Sequence, residues 1–146
     1  MIGLDLRIQP PRAPREQLDG LVFMPRTIDK VRATLPGGHL GPYHITPGMS
    51  QLLLSIIGVE LARLRTAVMT ANTDDDVAQW LRVHADASQY ERANAALTQF
   101  RHENIAPEHM GHFESLYPEF LRRRYALAID LLEADDRELY PALDNG

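Results

Sequence analysis

Apolar residues recur along this chain at the three- and four-residue intervals of a helix, and no stretch sustains the two-residue alternation of a strand with β-branched residues. Met24, Ile28, Val31 and Leu35 show the pattern most clearly: Pro25 suits a first turn, and Pro36-Gly37-Gly38 stops the run. Thr46-Pro47 then reads as the N-cap and first residue of a second helix. That helix carries Met49, Leu52, Leu53, Ile56 and Ile57, apolar on most sides and closed by Gly58, and should be the central buried helix. Residues 59–71 place Leu61, Leu64 and Val68 on one stripe, with Arg63 and Arg65 outward. Thr73 caps a helix that begins Asp74-Asp75-Asp76, where negative charge meets the positive end of the helix dipole, and whose apolar face is Val77, Trp80, Leu81 and His84. Ser88 and Glu91 read as a capping box for the next helix, with Tyr90, Ala93, Leu97 and Phe100 inward. Pro107 opens another, and Tyr117-Pro118 either kinks it or starts a further one. The expectation is an all-α fold: a single compact domain of about six helices over residues 21–146, preceded by an extended proline-rich N-terminal arm, residues 1–20, that carries Pro10, Pro11 and Pro14.

At 146 residues and 45% hydrophobic content, the chain has material for one core. It contains no cysteine, which removes disulfides, thiolate metal ligands and thiol nucleophiles together and fits a reducing compartment. The first sixteen residues hold no apolar signal-peptide core, and no later run is long enough to cross a bilayer, so the chain reads as cytoplasmic, without a membrane role. A formal net charge of −5 repels phosphate backbones, which disfavours nucleic acid as a partner. Arg122-Arg123-Arg124, followed by acidic residues, reads as a solvated helix face with internal pairing.

Fourteen of the fifteen basic residues are arginine, which leaves Lys30 as the lone lysine. A compact ammonium in a tight site cannot be replaced by a guanidinium fork, so this solitary lysine points to a site-specific role. Around it, Arg26, Asp29 and Arg32 fall on one flank of the first helix and Thr27, Lys30 and Thr34 on the other, while Tyr43 and His44 follow on a glycine-rich loop. In the bland alternative, Arg26, Asp29 and Arg32 form a solvated face with weak pairs at three-residue spacing. In the functional one, Arg26, Lys30 and Arg32 bind an anionic group, Asp29 orients one of them, and Tyr43 and His44 close the site. His109 and His112 could share a helix face, a spacing that suits a metal. They lack both the paired Glu-x-x-His of di-iron bundles and the HExxH of zinc proteases, and Gly111 weakens the helix between them, so a polar helix start is the better reading and no metal is expected. No serine sits in a nucleophile elbow, no glycine-rich phosphate fingerprint is present, and no cofactor is implied.

Several stretches resemble a bacterial family of domains of unknown function (DUF5069-like): Pro11 and Pro14, Leu18 and Gly20, then MPRTIDKVRATLPG, GPYH, Pro47 and LLLSIIGV, with weaker similarity through DVAQWLRVH and DLLEADDRE. Its PRxIDKxRA and GxYH signature falls on Pro25, Arg26, Ile28, Asp29, Lys30, Arg32, Ala33, Tyr43 and His44. In that family an acidic residue often follows the loop proline, where this chain has Gly48-Met49-Ser50. The resemblance brings no activity with it.

Three functions are compatible with these residues. The leading one is a small module that binds an anionic small molecule, or the carboxylate of a protein partner, through Arg26, Lys30 and Arg32, with Asp29, Tyr43 and His44 shaping the pocket. An enzyme would use Lys30 or His44 as acid or base and Tyr43 as donor. A homodimeric interaction protein would need no small ligand.

Overall fold

The computed structural model describes residues 1–141. Among them the fold is mostly helical. A two-stranded hairpin, β1 (Gln17–Leu18) and β2 (Leu21–Val22), leads into α1 (Met24–Arg32), α2 (Met49–Ile57), α3 (Leu61–Thr70), α4 (Asp74–His84), α5 (Tyr90–Gln99), α6 (Pro107–Leu116), α7 (Glu119–Arg124) and α8 (Ala128–Leu139). The stretch after Pro107 is where the number of helices exceeds the expected six. Pro118 ends one helix and precedes the next, and an extended Tyr125 separates α7 from α8. No helix among the described residues is long and apolar enough to cross a membrane. The chain divides into two compact units, residues 1–97 and the part from Thr98 onward.

In the first unit, Asp19 and Gly20 both adopt left-handed backbone, at φ 53° and 80°, which turns the chain tightly enough to pair Gln17 with Val22 and Leu18 with Leu21. Asn94 on α5 fixes the hairpin: its side-chain oxygen accepts the Val22 N–H at 2.9 Å, and its amide donates to the Gly20 carbonyl at 2.8 Å. Asp19 also pairs with Arg82 of α4 at 2.9 Å. The first twenty residues are tied down at several points. Leu6 is fully buried, Pro11 and Pro14 are buried, and the Leu6 N–H donates to the His39 carbonyl at 2.8 Å while His39 N–H donates to Leu4 at 3.0 Å.

The helix at the centre of this unit is α1, not the more apolar α2. Every residue of α1 from Met24 to Val31 is buried, charged ones included, whereas α2 buries Ser50, Leu53, Leu54 and Ile57 and leaves Gln51 and Ser55 exposed. Packing explains the exchange: the hairpin, α2 and α3 all border α1. α2 also begins two residues later than Pro47, at Met49 with Gly48 as its cap.

The cap of α4 follows the sequence expectation. Thr73 accepts the Asp76 N–H, and the Asp76 carboxylate takes the Asn72 and Thr73 N–H groups at 2.9 and 3.1 Å. At α5 the expected Ser88–Glu91 box is replaced. Asp86 accepts both the N–H and the hydroxyl of Ser88, at 3.1 and 2.6 Å, and starts a short 3-10 turn, Ala87–Gln89, that runs into α5. An aspartate carboxylate competes better for these donors than a serine hydroxyl.

Main-chain hydrogen bonds from Asn72 and Thr73 hold the Asp76 carboxyl below its ordinary pKa. A carboxyl depressed in the folded state contributes stability that is present above the unfolded pKa and is lost as pH falls through the folded one. The melting temperature should therefore fall below about pH 4, and Asp76→Asn should flatten that acid limb. A thermal melt series from pH 3 to pH 7 checks this, and an unchanged acid limb in the variant would refute it.

In the second unit, Leu121, Leu131 and Ala134 form the buried centre, with Phe113, Tyr117 and Tyr125 packed against it. His102 lies along Phe113 with ring centroids 5.4 Å apart, and its Nε2–H donates to the Tyr125 and Arg122 carbonyls at 2.7 and 3.0 Å, so the C-terminal end of α7 is closed by an imidazole.

Candidate functional site

Phe23 stands where β2 gives way to α1, in left-handed backbone at φ 74° with its ring fully buried. For a residue with a Cβ this conformation costs about 1–2 kcal/mol, and the surrounding packing maintains it. The ring is a platform for two cations. The Arg26 guanidinium carbon lies 5.8 Å from its centroid and the Lys30 Nζ 5.6 Å, one turn of helix apart. The Tyr43 ring comes within 5.4 Å of the same guanidinium.

Tyr43 arrives on the loop over residues 36–48. Gly41 allows that loop to press against the N-terminal segment at Leu6: its φ is +58°, and a Cβ there would lie 2.7 Å from the Leu6 carbonyl oxygen. Tyr43 is buried and His44 half-buried. Across from the loop, Thr27 and Ser50, both fully buried, share a 2.9 Å hydroxyl–hydroxyl hydrogen bond that joins α1 to α2.

Arg26 is 1% exposed and Lys30 7%, so the solvated helix face considered from sequence is not what forms. Taking an ion out of water costs several kcal/mol, and each cation–π contact returns about 0.5–2 kcal/mol.

Asp29 does not orient that pair directly. Its carboxylate takes the main-chain N–H of Arg12 at 2.8 Å, together with Arg12 Nε and Nη2 at 3.1 Å each. The same guanidinium reaches Asp74 at the start of α4, with Nη2 at 3.1 Å. Partial burial opposes the charge on Arg12, but the hydrogen bonds to Asp74 and Asp29 outweigh it and hold its pKa above the ordinary arginine value. The Arg12 carbonyl in turn accepts Arg26 Nη1 at 3.3 Å.

Of the six residues singled out from sequence, the structure sets Arg26 and Lys30 on the Phe23 ring and Tyr43 against Arg26, with His44 next to Tyr43 in the chain. Asp29 lies on the neighbouring face of α1, bound to Arg12. Arg32 is engaged elsewhere, donating from Nε to the Ile2 carbonyl at 3.0 Å. Three participants escaped sequence reasoning. Phe23 reads as an ordinary core residue, Arg12 sits in a proline-rich run, and Asp74 belongs to a capping triplet. For Arg12 no local signal exists, because its partners are 17 and 62 residues away.

His109 and His112 are exposed on α6. Among the described residues no group of three or more histidine, aspartate or glutamate side chains is arranged to hold a metal.

A family model described as Domain of unknown function (DUF5069) matches residues 8–138, a span that contains every residue of this site. No curated protein matches the chain.

Proposed function

The chain belongs to the DUF5069 family, a domain of unknown function, and we propose from its own geometry that it is a binding module for an anionic oxygen-bearing group, carboxylate or phosphate, of a small molecule. The observation that carries this reading is the pair of buried cations, Arg26 and Lys30, on the single ring of Phe23. Arg26 supplies a planar fork and Lys30 a point charge, a combination suited to an anion approached from two sides. Tyr43 and His44 close the site from the loop, and both carry groups able to hydrogen-bond an oxygen anion. Asp29 and Arg32 serve the architecture around it. The module acts in the cytoplasm on this reading, which the cysteine-free sequence supports.

The test is a thermal shift with inorganic phosphate and with citrate on the wild type and on Lys30→Met, which keeps the apolar stem and removes the charge. A ligand present at a hundredfold its Kd stabilises the native state by about 2.7 kcal/mol. For a chain of this size that raises the melting temperature by roughly 5–10 °C. The wild type should rise with at least one anion, and the variant should lose most of the rise while melting within a few degrees of wild type in its absence. If the wild type responds to neither anion, the reading is wrong.

A further inference from the structure

We propose that the Asp19–Gly20 turn is a self-modification site, an aspartyl-glycyl step that cyclises to a succinimide and reopens as isoaspartate, and that Arg82 holds it dormant. The site is separate from the anion-binding reading above and does not depend on it.

Asp19 and Gly20 form the chain's one Asp-Gly step. Glycine is the residue that lets this chemistry run, because with no side chain its main-chain nitrogen approaches the preceding carboxyl unobstructed. The tip of the hairpin is open as well: Asp19 and Gly20 are both exposed, and a Cβ on Gly20 would meet nothing within 4 Å. In the reaction the Gly20 nitrogen attacks Asp19 Cγ. An N–Cγ bond forms, a Cγ–O bond breaks, and the departing hydroxyl leaves with the amide proton as water. Water then opens the ring at one of its two carbonyls. Opening at Cγ restores aspartate; opening at the main-chain carbon leaves isoaspartate, whose main chain runs through Cβ and Cγ.

Arg82 opposes the first step. It binds both oxygens of the carboxylate, Nε to Oδ2 at 2.9 Å and Nη2 to Oδ1 at 3.0 Å, and so anchors the side chain to α4. These hydrogen bonds hold the Asp19 carboxyl below its ordinary pKa, in the anionic form, which is a poor electrophile with no hydroxyl to release. The Arg82 side chain is 56% exposed, so replacing it removes this hold without emptying any part of the core.

The position gives the reaction a consequence. Isoaspartate lengthens the main chain of the turn, and a longer turn no longer sets the register that pairs Gln17 with Val22 and Leu18 with Leu21. Asn94 grips both sides of the step, through the Gly20 carbonyl and the Val22 N–H, and loses that fit. Phe23 follows directly, its N–H bonded to the Glu16 carbonyl at 3.1 Å, so the change is delivered to the residue that turns the hairpin into α1.

The experiment incubates wild type, Arg82→Gln, Arg82→Lys and a control, Gln79→Ala, at an exposed position of the same helix, in neutral buffer below the melting transition of each. Isoaspartate at residue 19 is read by electron-transfer fragmentation of the tryptic peptide covering residues 16–26. Arg82→Gln should accumulate it several-fold faster than wild type and control, with Arg82→Lys, which keeps the charge and loses the fork, in between. The purified isoaspartate form should exchange its Val22 N–H several-fold faster than the unmodified protein. Should Arg82→Gln fail to fold, Arg82→Lys against wild type decides: faster modification upholds the guard, and an equal rate overturns it. Equal rates in all the folded proteins likewise overturn the role of Arg82. No isoaspartate in any of them overturns the site itself, and unchanged exchange at Val22 overturns its effect on the hairpin.

Discussion

Replacing Phe23 by alanine is expected to lower stability by about 3–5 kcal/mol, the usual cost of emptying a fully buried phenylalanine site. At roughly 2–4 °C per kcal/mol for a chain of this length, the melting temperature should fall by on the order of 10 °C or more. Three separate roles meet in this ring: it is completely enclosed, it supports Arg26 and Lys30, and it occupies the left-handed residue that turns the hairpin into α1. The alanine variant keeps the strained backbone and loses the packing that holds it, so relief of strain does not offset the loss. Phe23→Leu separates volume from aromaticity. It should cost about 1–1.5 kcal/mol, as volume-conserving core exchanges do, yet weaken phosphate or citrate binding because no ring remains to order the two cations. Denaturant melts give the stabilities, and a loss below about 1 kcal/mol for Phe23→Ala would show that the ring is not packed as described.

Asp29→Ala should cost about 2–3 kcal/mol. Removing one partner of a buried ion pair costs about 3–5 kcal/mol, but here Arg12 retains Asp74 and its side chain is 31% exposed, which lowers the figure. A double-mutant cycle with Arg12→Ala should return a coupling of at least about 1 kcal/mol, because the two residues share several hydrogen bonds. Asp74→Ala should cost under about 1 kcal/mol, because its side chain is 35% exposed. Additive effects of Asp29 and Arg12 in urea titrations would refute the bonding described.

The residues that could be read correctly in advance are those whose environment is local. Thr73, Asp74, Asp75 and Asp76 announce a helix start because the cap is made within four residues. Leu64 and Val68 sit one helical turn apart and are both buried, as their spacing requires. The hairpin was not read in advance: residues 1–20 read as an extended arm, because strands of two residues are too short to show alternation. The end of the chain was harder. Tyr117-Pro118 signals a break, but the three-way division of residues 107–139 depends on the residues between α7 and α8, where no proline or glycine marks a boundary.

By itself the sequence determined a helical chain, the main helix starts and stops, and the concentration of Arg26, Asp29, Lys30, Tyr43 and His44 in one helix and its loop, because these follow from local periodicity, caps and spacing. Only the tertiary structure decided which helix is enclosed. Apolar content favours α2, but the hairpin, α2 and α3 close around α1, so its charged residues are buried where hydropathy would leave them in water. It also decided that Asp29 answers to Arg12 and that Arg12 reaches Asp74, because those pairs join residues far apart in the chain. Charge partners at such separation leave no periodic trace; the fold alone brings them within bonding distance.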